Sequence, residues 1–435
     1  MKKILFLELN EFNLEVLQEG ARRLDLKHLQ RLLSLHQSVT WTDDVYESDF
    51  LEPWVQWVSV HTGIPSSVHQ IKHLGDVPHL STPQFWERLS EMGVSTGIWG
   101  AMNASRGHSP SCRFFVPDPW TASENGHPDE LNALLDPVRY LSKNYLNRSW
   151  ITLLSKVKNL IRLFFSNNLG KTLFQELLKL PVQLAKHGFH PYLFICLADY
   201  LSTLLFLQYR KQKAPDFSLL FLNSIAHLQH HYWEGGPIDF GLQNMNRILG
   251  HLFASLEAGE IFVVANALSQ KHTKDEDPWI LYRQIDQVQF LKTVGIDCDQ
   301  VESLMTHDAL LFFSSAEKTR EAKKLLEGAR IEGKPLFHVE TYPQNPQKLF
   351  YRIAFTDKID PIASFDLGEK SYAFFDLFQP IIERTGKHIQ TATVLCNEPL
   401  FPEKLMNHEI VTHLLFDVFG NSLPLASAKA MDQTA

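Results

Sequence analysis

A chain of 435 residues that is 44% hydrophobic and 21% charged has the balance of a globular protein with a large core, which sets aside the disordered and fibrous classes. Its formal net charge of −8 comes from 49 acidic against 41 basic residues, so it lacks the electrostatic footprint of a duplex-DNA binder, and nucleic acid is not an expected partner. The four cysteines, Cys112, Cys196, Cys298 and Cys396, include no Cys-x-x-Cys pair, which argues against a zinc ribbon or a dense disulfide framework and fits a reducing, cytoplasmic compartment.

The opening MKKILFLELNEF is an apolar run broken by Glu8 and Glu11 before any signal-peptide core can form, so it reads as a first strand. Helical spacing follows through Leu14, Leu17, Leu26, Leu29 and Leu33. Residues 85–92 (FWERLSEM) predict a helix ended by Gly93, then VSTGIWG supplies a second buried strand and a polar loop covers 102–110. In FFVPDPW (114–120), Asp118 reads as a turn residue.

Residues 121–215 form a leucine-rich helical insertion, a candidate lid. Within 149–186, Lys156, Lys158, Arg162, Lys171, Lys179 and Lys186 face the single acid Glu176, which suits either a solvated charged face or contact with a membrane surface or anionic ligand. Residues 192–209 approach membrane-span length, but Asp199 in their middle would cost roughly 2.5–3.5 kcal/mol in lipid, so a buried helix is expected. Apolar runs at 217–222 and 260–265 flank a helical stretch at 238–256. The alternation predicts an α/β fold, three α/β/α layers around a mostly parallel sheet, with the core at 1–120 and 216–423 and a flexible tail at 424–435. Ligands of such sheets sit beyond the carboxyl ends of the strands, which directs attention to 8–11, 100–105, 223–231 and 266–272.

Four segments, KKILFLELNEFN, EPWVQWVSVHTGIPSSVHQI (52–71), LLFLNSIAHLQHHYW (219–233) and EIFVVANALSQ, occur in that order. Together they resemble the type I phosphodiesterase and nucleotide pyrophosphatase branch of the alkaline phosphatase superfamily. The resemblance implies phosphoester chemistry on two zinc-like ions, held by Asp and His and bridged by a Thr or Ser nucleophile. Carried over residue by residue, the first metal-binding Asp falls on Asn10, the nucleophile at or beside Pro53, the next Asp on Ala226, and the Asp-His pair on Asn266 and Ala267; His230 keeps a ligand's identity. Amides and alanines do not balance two divalent cations, so the expected cofactor is none or one divalent metal ion. A shift of a residue or two brings in Glu8 or Glu11 as the first acid and His227 or His231 as a neighbouring ligand.

The candidate catalytic residues are therefore Glu8, Glu11, Glu52 and His230, with His227, His230 and His231 spaced to hold at most one ion if helical. Asn10, Trp54, Gln56, Trp57, Asn103, Asn223, Asn266 and Gln270 are the candidate substrate-binding residues, since amides and indoles suit a sugar or polyol. Glu52 also reads as a helix first-turn carboxylate, and Trp54 and Trp57 as a core stripe. The expected function is a hydrolase or group-transfer enzyme acting on a phosphorylated or glycan-like small molecule. The alternatives are a metal-free carbohydrate-active enzyme using paired Glu residues and a non-catalytic ligand-binding protein.

Overall fold

Six consecutive buried residues, Ile4–Leu9, make the central strand, bonded in parallel to Phe217–Leu222 on one side and Ile261–Ala265 on the other. The computed structural model describes residues 2–45, 50–143, 149–274, 279–304 and 308–420; the expected tail at 424–435 lies outside them. From edge to edge the eight-stranded sheet runs Lys404–Met406, His36–Trp41, Thr391–Cys396, Ile261–Ala265, Ile4–Leu9, Phe217–Leu222, Thr96–Ala101 and Cys112–Pro117. Thr391–Cys396 is antiparallel to both neighbours and the other pairings are parallel.

Because side chains alternate along a strand, Leu5, Leu7 and Leu9 enter one apolar cluster while Ile4 and Phe6 enter another. Leu14–Arg23, Lys27–Leu33, Pro191–Lys213 and Gly236–Ser255 cover the first face, and Pro53–Thr62 and Phe85–Glu91 cover the second. The mixed α/β fold with a mostly parallel central sheet is thus as the sequence leads one to expect. Pro53–Thr62 begins at a proline, whose missing N–H costs nothing in a first turn, and stops at Gly63 with φ +74°.

Among its described residues the insertion contains four α-helices, Asn132–Lys143, Trp150–Ser166, Gly170–His187 and Pro191–Lys213. The last is long and apolar enough to cross a membrane, yet Cys196, Leu205 and Phe206 lie in the core. Its polar residues have partners there. The Asp199 carboxylate accepts the backbone N–H groups of Asn223 and Ser224, capping the helix Ser224–Gln229, and Arg210 pairs with buried Glu260 while donating to the Ser255 carbonyl.

Residues 280–378 gather a third apolar cluster around Phe290, Phe337, Tyr351 and Phe378. Its sheet is antiparallel, in the order Phe337–Tyr342, Asn345–Ile353, Asp308–Phe312 and Gln300–Ser303. Two ladders connect this cluster to the main sheet: Trp279–Gln284 pairs with Phe378–Arg384, then Ser269–His272 pairs with Gly386–Ile389. The second ladder lies beyond the end of Ile261–Ala265, where it reaches the turn after the central strand.

Arg210→Ala would leave Glu260 as a buried charge without its partner, and should cost about 3–5 kcal/mol in urea unfolding. The double change Arg210→Met with Glu260→Leu is expected to recover most of that loss.

Candidate functional site

The central strand ends in Asn10 and Glu11, and Glu11 adopts φ +52°. A left-handed glutamate carries roughly 1–3 kcal/mol of strain, so surrounding contacts must hold it. The Gln229 amide does so by donating to the Glu11 carbonyl at 3.2 Å while its oxygen accepts the Asn13 N–H at 3.0 Å. The turn aims the Glu11 carboxylate into a buried cluster. Oε1 accepts from Asn10 Nδ2 at 2.8 Å, and Oε2 lies 2.6 Å from Gln270 Nε2, 2.9 Å from His388 Nε2 and 3.3 Å from His230 Nε2.

Each donor arrives from a different element. His230 caps the C-terminus of Ser224–Gln229, and its carbonyl accepts the Thr385 N–H at 2.9 Å, which pins the ladder strand to the helix. Gln270 and His388 face each other across the Ser269–His272 and Gly386–Ile389 ladder. Gly386 makes that approach feasible, because a Cβ there would stand 2.3 Å from Gln270 Oε1 and 2.5 Å from the Gln229 carbonyl oxygen.

Burial alone would raise the Glu11 carboxyl, but His388, His230 and the hydrogen bonds from His388 and Gln270 hold it well below the usual carboxylate range. Burial pulls His388 down, yet Glu11, through charge and hydrogen bond, and Glu52 together raise it above an ordinary imidazole. The Nδ1 atom of His388 lies 3.2 Å from the Leu51 carbonyl and 3.4 Å from Glu52 Oε2. His230 is pushed the other way, chiefly by burial, and stays neutral. Its Nδ1 is buried with no hydrogen-bond partner among the described residues. Glu52 is raised by burial against the opposing charges of His388, Arg384 and Arg352.

These groups open onto a cavity of about 280 Å³. Glu52, Trp54 and Trp120 form part of its wall, with Arg384 and His227 contributing further polar groups. Asn10, Asn223 and His231 also line it, whereas no described residue of 121–215 does. The donor atoms of Glu11, His230 and His388 all lie within 4.8 Å of one another, close enough for the three to ligate one metal ion.

Several expected site residues have other places. Glu8 points to the opposite face of the sheet from Leu7 and Leu9, is fully buried, bonds His61 Nε2 at 2.7 Å, and does not line the cavity. The alternation of the strand turns Glu8 away from Leu7 and Leu9, whereas Glu11 lies beyond the strand's end, on the left-handed bend. Trp57 is buried and donates to Asn10 Oδ1 at 2.8 Å, so it supports the turn from below, whereas Trp54 lines the cavity. Gln56 donates to Asp44 and the Phe50 carbonyl and accepts from Asn407. Asn103, at φ +48°, donates to the Trp54 and His73 carbonyls and accepts the Gly75 N–H. Asn266 donates to the Phe12 carbonyl and accepts the Thr393 N–H. Their amides satisfy backbone groups and are spent on structure. Gln270 touches Glu11 rather than the cavity.

The three-histidine arrangement is also corrected. His231 turns its Nδ1 to the Glu383 carbonyl at 3.0 Å, and His227 is exposed at the rim, leaving His230 to join Glu11 and His388. The sequence reading missed His388 and Arg384. The available signal was the two-residue rhythm of Arg384, Gly386 and His388, which places them on one side of an extended segment beside a glycine. Asp118 does form its turn, accepting the Trp120 and Thr121 N–H groups.

Solved structures similar to this chain include murine ectonucleotide pyrophosphatase/phosphodiesterase 5, at 10% identity over 97% of this chain and 96% of that one, TM-score 0.47. The human ectonucleotide pyrophosphatase/phosphodiesterase 5 has 10% identity, coverage of 97% and 96%, and a TM-score of 0.48. Phosphonoacetate hydrolase from Sinorhizobium meliloti 1021 in complex with phosphonoacetate has 12% identity, 94% coverage of each chain and a TM-score of 0.43. The chain matches no protein-family model and no curated protein. At such identities no residue role passes from those proteins to this one.

Asp199, which caps the helix carrying His230, is raised to about 6 by burial, with hydrogen bonds from Ser224 and Asn223 opposing. Its folded pKa exceeds its unfolded one, so the associated stability is complete below about pH 4 and is lost as pH rises through about 6. Relative to Asp199→Asn, the wild type should lose roughly 1–3 kcal/mol between those values and then level off, as read by denaturant titration across pH. Gly386→Ala should destabilise by about 1–3 kcal/mol and weaken any ligand held by His388.

Proposed function

We propose that the cavity binds one divalent cation through Glu11, His230 and His388 and hydrolyses or transfers a phosphoester group on a small molecule. The observation behind this reading is the convergence of an ionised, buried carboxylate and two imidazoles within 4.8 Å. Two histidines with one glutamate, leaving a side open, is a set that borderline ions such as zinc accept for catalysis. The residues fit in further respects. Glu11 supplies the anionic oxygen, and neutral His230 offers a lone pair with one buried nitrogen unengaged. His388 can direct Nδ1–H to the Leu51 carbonyl and leave Nε2 for the ion, while Asn10 and Gln270 orient Glu11 from behind.

When bound, such an ion polarises a phosphoryl oxygen and lowers the pKa of a bound water. The protein's own groups account for the rest. Arg384 places a permanent positive charge on the cavity wall where a phosphate oxygen can be held. Trp54, Trp120 and Met102 provide a flat apolar surface for the remainder of the substrate. Glu52, its carboxyl raised by burial, can keep a proton and deliver it to a departing oxygen. Among the described residues lining the cavity there is no Ser, Thr, Cys, Tyr or Lys, so the attacking group is water or an acceptor hydroxyl rather than a side-chain alcohol.

A second reading has its own observation. Glu11 is held low and Glu52 raised within one cavity, the division of labour that paired carboxylates need for metal-free acid and base work on a glycan. Chelation separates the two. On the metal reading the purified chain carries about one zinc or manganese ion, and Glu11→Gln or His388→Ala removes the ion and lowers phosphoester turnover roughly 100-fold or more. Arg384→Ala should chiefly raise KM. Turnover by metal-free protein, unaffected by chelator and abolished by Glu52→Gln, would instead establish the carboxylate pair.

A further inference from the structure

The insertion ends the core on one side with an outer helical pair, Trp150–Ser166 and Gly170–His187. Each helix buries few residues: Leu163 and Phe164 in the first, and Gly170, Leu173 and Glu176 in the second. What remains outside is strongly apolar. Trp150 is 67% exposed, Ile151 84%, Phe165 63%, Phe174 61% and Val182 67%. On the first helix, Ile151, Leu154, Ile161 and Phe165 recur at the three- and four-residue spacings of one stripe, with Lys158 completing the series. Contiguous apolar surface of this kind on a folded protein marks a place where something covers it.

The charge around the stripe indicates the occupant. Lys158, Arg162, Lys171 and Lys186 are exposed, while Glu176, the single acid of 149–187, is turned inward to Lys179 and Arg247. The face therefore combines large apolar side chains with cations and presents no carboxylate of its own, although the whole chain carries a net charge of −8. A protein partner would have to match both features, whereas an anionic bilayer matches them together, taking the apolar residues at the headgroup boundary and the cations at the phosphates.

We propose that this helical pair docks the protein on an anionic lipid surface, lying in the interface without spanning it. The helical pair contributes no described residue to the lining of the cavity, so docking through it does not occupy the site. The inference is independent of the chemistry assigned to Glu11, His230 and His388. Its test uses the full-length chain, sedimented with vesicles of phosphatidylcholine alone or of phosphatidylcholine with phosphatidylglycerol. Binding is expected to the second kind only, to weaken with added salt, and to shift tryptophan emission to the blue by an amount that Trp150→Phe reduces. Ile151→Asp with Phe174→Asp, and separately Lys158→Glu with Arg162→Glu, should each weaken binding roughly tenfold or more while leaving the circular dichroism and the metal content unchanged. Failure to bind phosphatidylglycerol vesicles, or equal binding by these variants, would overturn the proposal. A dimer dissolved by Ile151→Asp with Phe174→Asp, in a chain that ignores vesicles, would assign the face to a second copy.

Discussion

A carboxylate buried at the end of the central strand is the constraint around which the site is built. An ionised side chain removed from water costs several kcal/mol unless charge and hydrogen bonds compensate it. Glu11 receives them from Asn10 on its own turn, His230 at a helix end, and Gln270 and His388 on two short strands. Removing the carboxylate would leave four polar groups from four regions of the chain without their common partner. Gln229 holds the left-handed turn itself, and the contacts to the carboxylate join it to the ladder of 269–272 and 386–389 over the end of the sheet.

The neutral residues at the positions where the resemblance leads one to expect acids have specific work. Asn10 accepts from Trp57 and donates to both Glu11 and Asn223, so its amide links the cavity wall to its floor. Asn266 fastens the Phe12 carbonyl to the Thr393 N–H, and Ala267 is packed with its carbonyl bonded to Asn407. These groups are satisfied within the protein and add no negative charge. What charge the cavity offers a cation lies on one side, at Glu11, with Glu52 raised toward its neutral form across His388. This asymmetry is the physical basis for proposing one ion rather than two.

The parts of the fold that follow from burial on both faces of a strand were legible in the sequence: Ile4–Leu9, Phe217–Leu222 and Ile261–Ala265 are continuous apolar runs, and Asp199 signals a buried rather than a membrane-spanning helix. The cluster of 280–378 was not separated from the main core, because its strands are short and only partly buried, as in Asp308–Phe312 and Phe337–Tyr342, and so lack a continuous apolar run. At the site, Glu11, Glu52, Asn10, Asn223 and His230 were legible from their place after predicted strands or before a helix. Glu8 was misplaced because its nearness to the strand end outweighed the alternation that turns it away from Leu7 and Leu9, toward His61. His388 was invisible for a related reason: it lies 158 positions beyond His230, and only the ladder with Gln270 brings them together.

Anomalous diffraction from crystals of the protein loaded with zinc or manganese tests the central claim most directly. The account predicts one peak per chain, within bonding distance of the Glu11 carboxylate and of one ring nitrogen each of His230 and His388, with Asn266 still bonded to backbone. Two peaks a few ångströms apart, or a loaded ion held elsewhere while Glu11 and His388 remain bonded to each other, would contradict it.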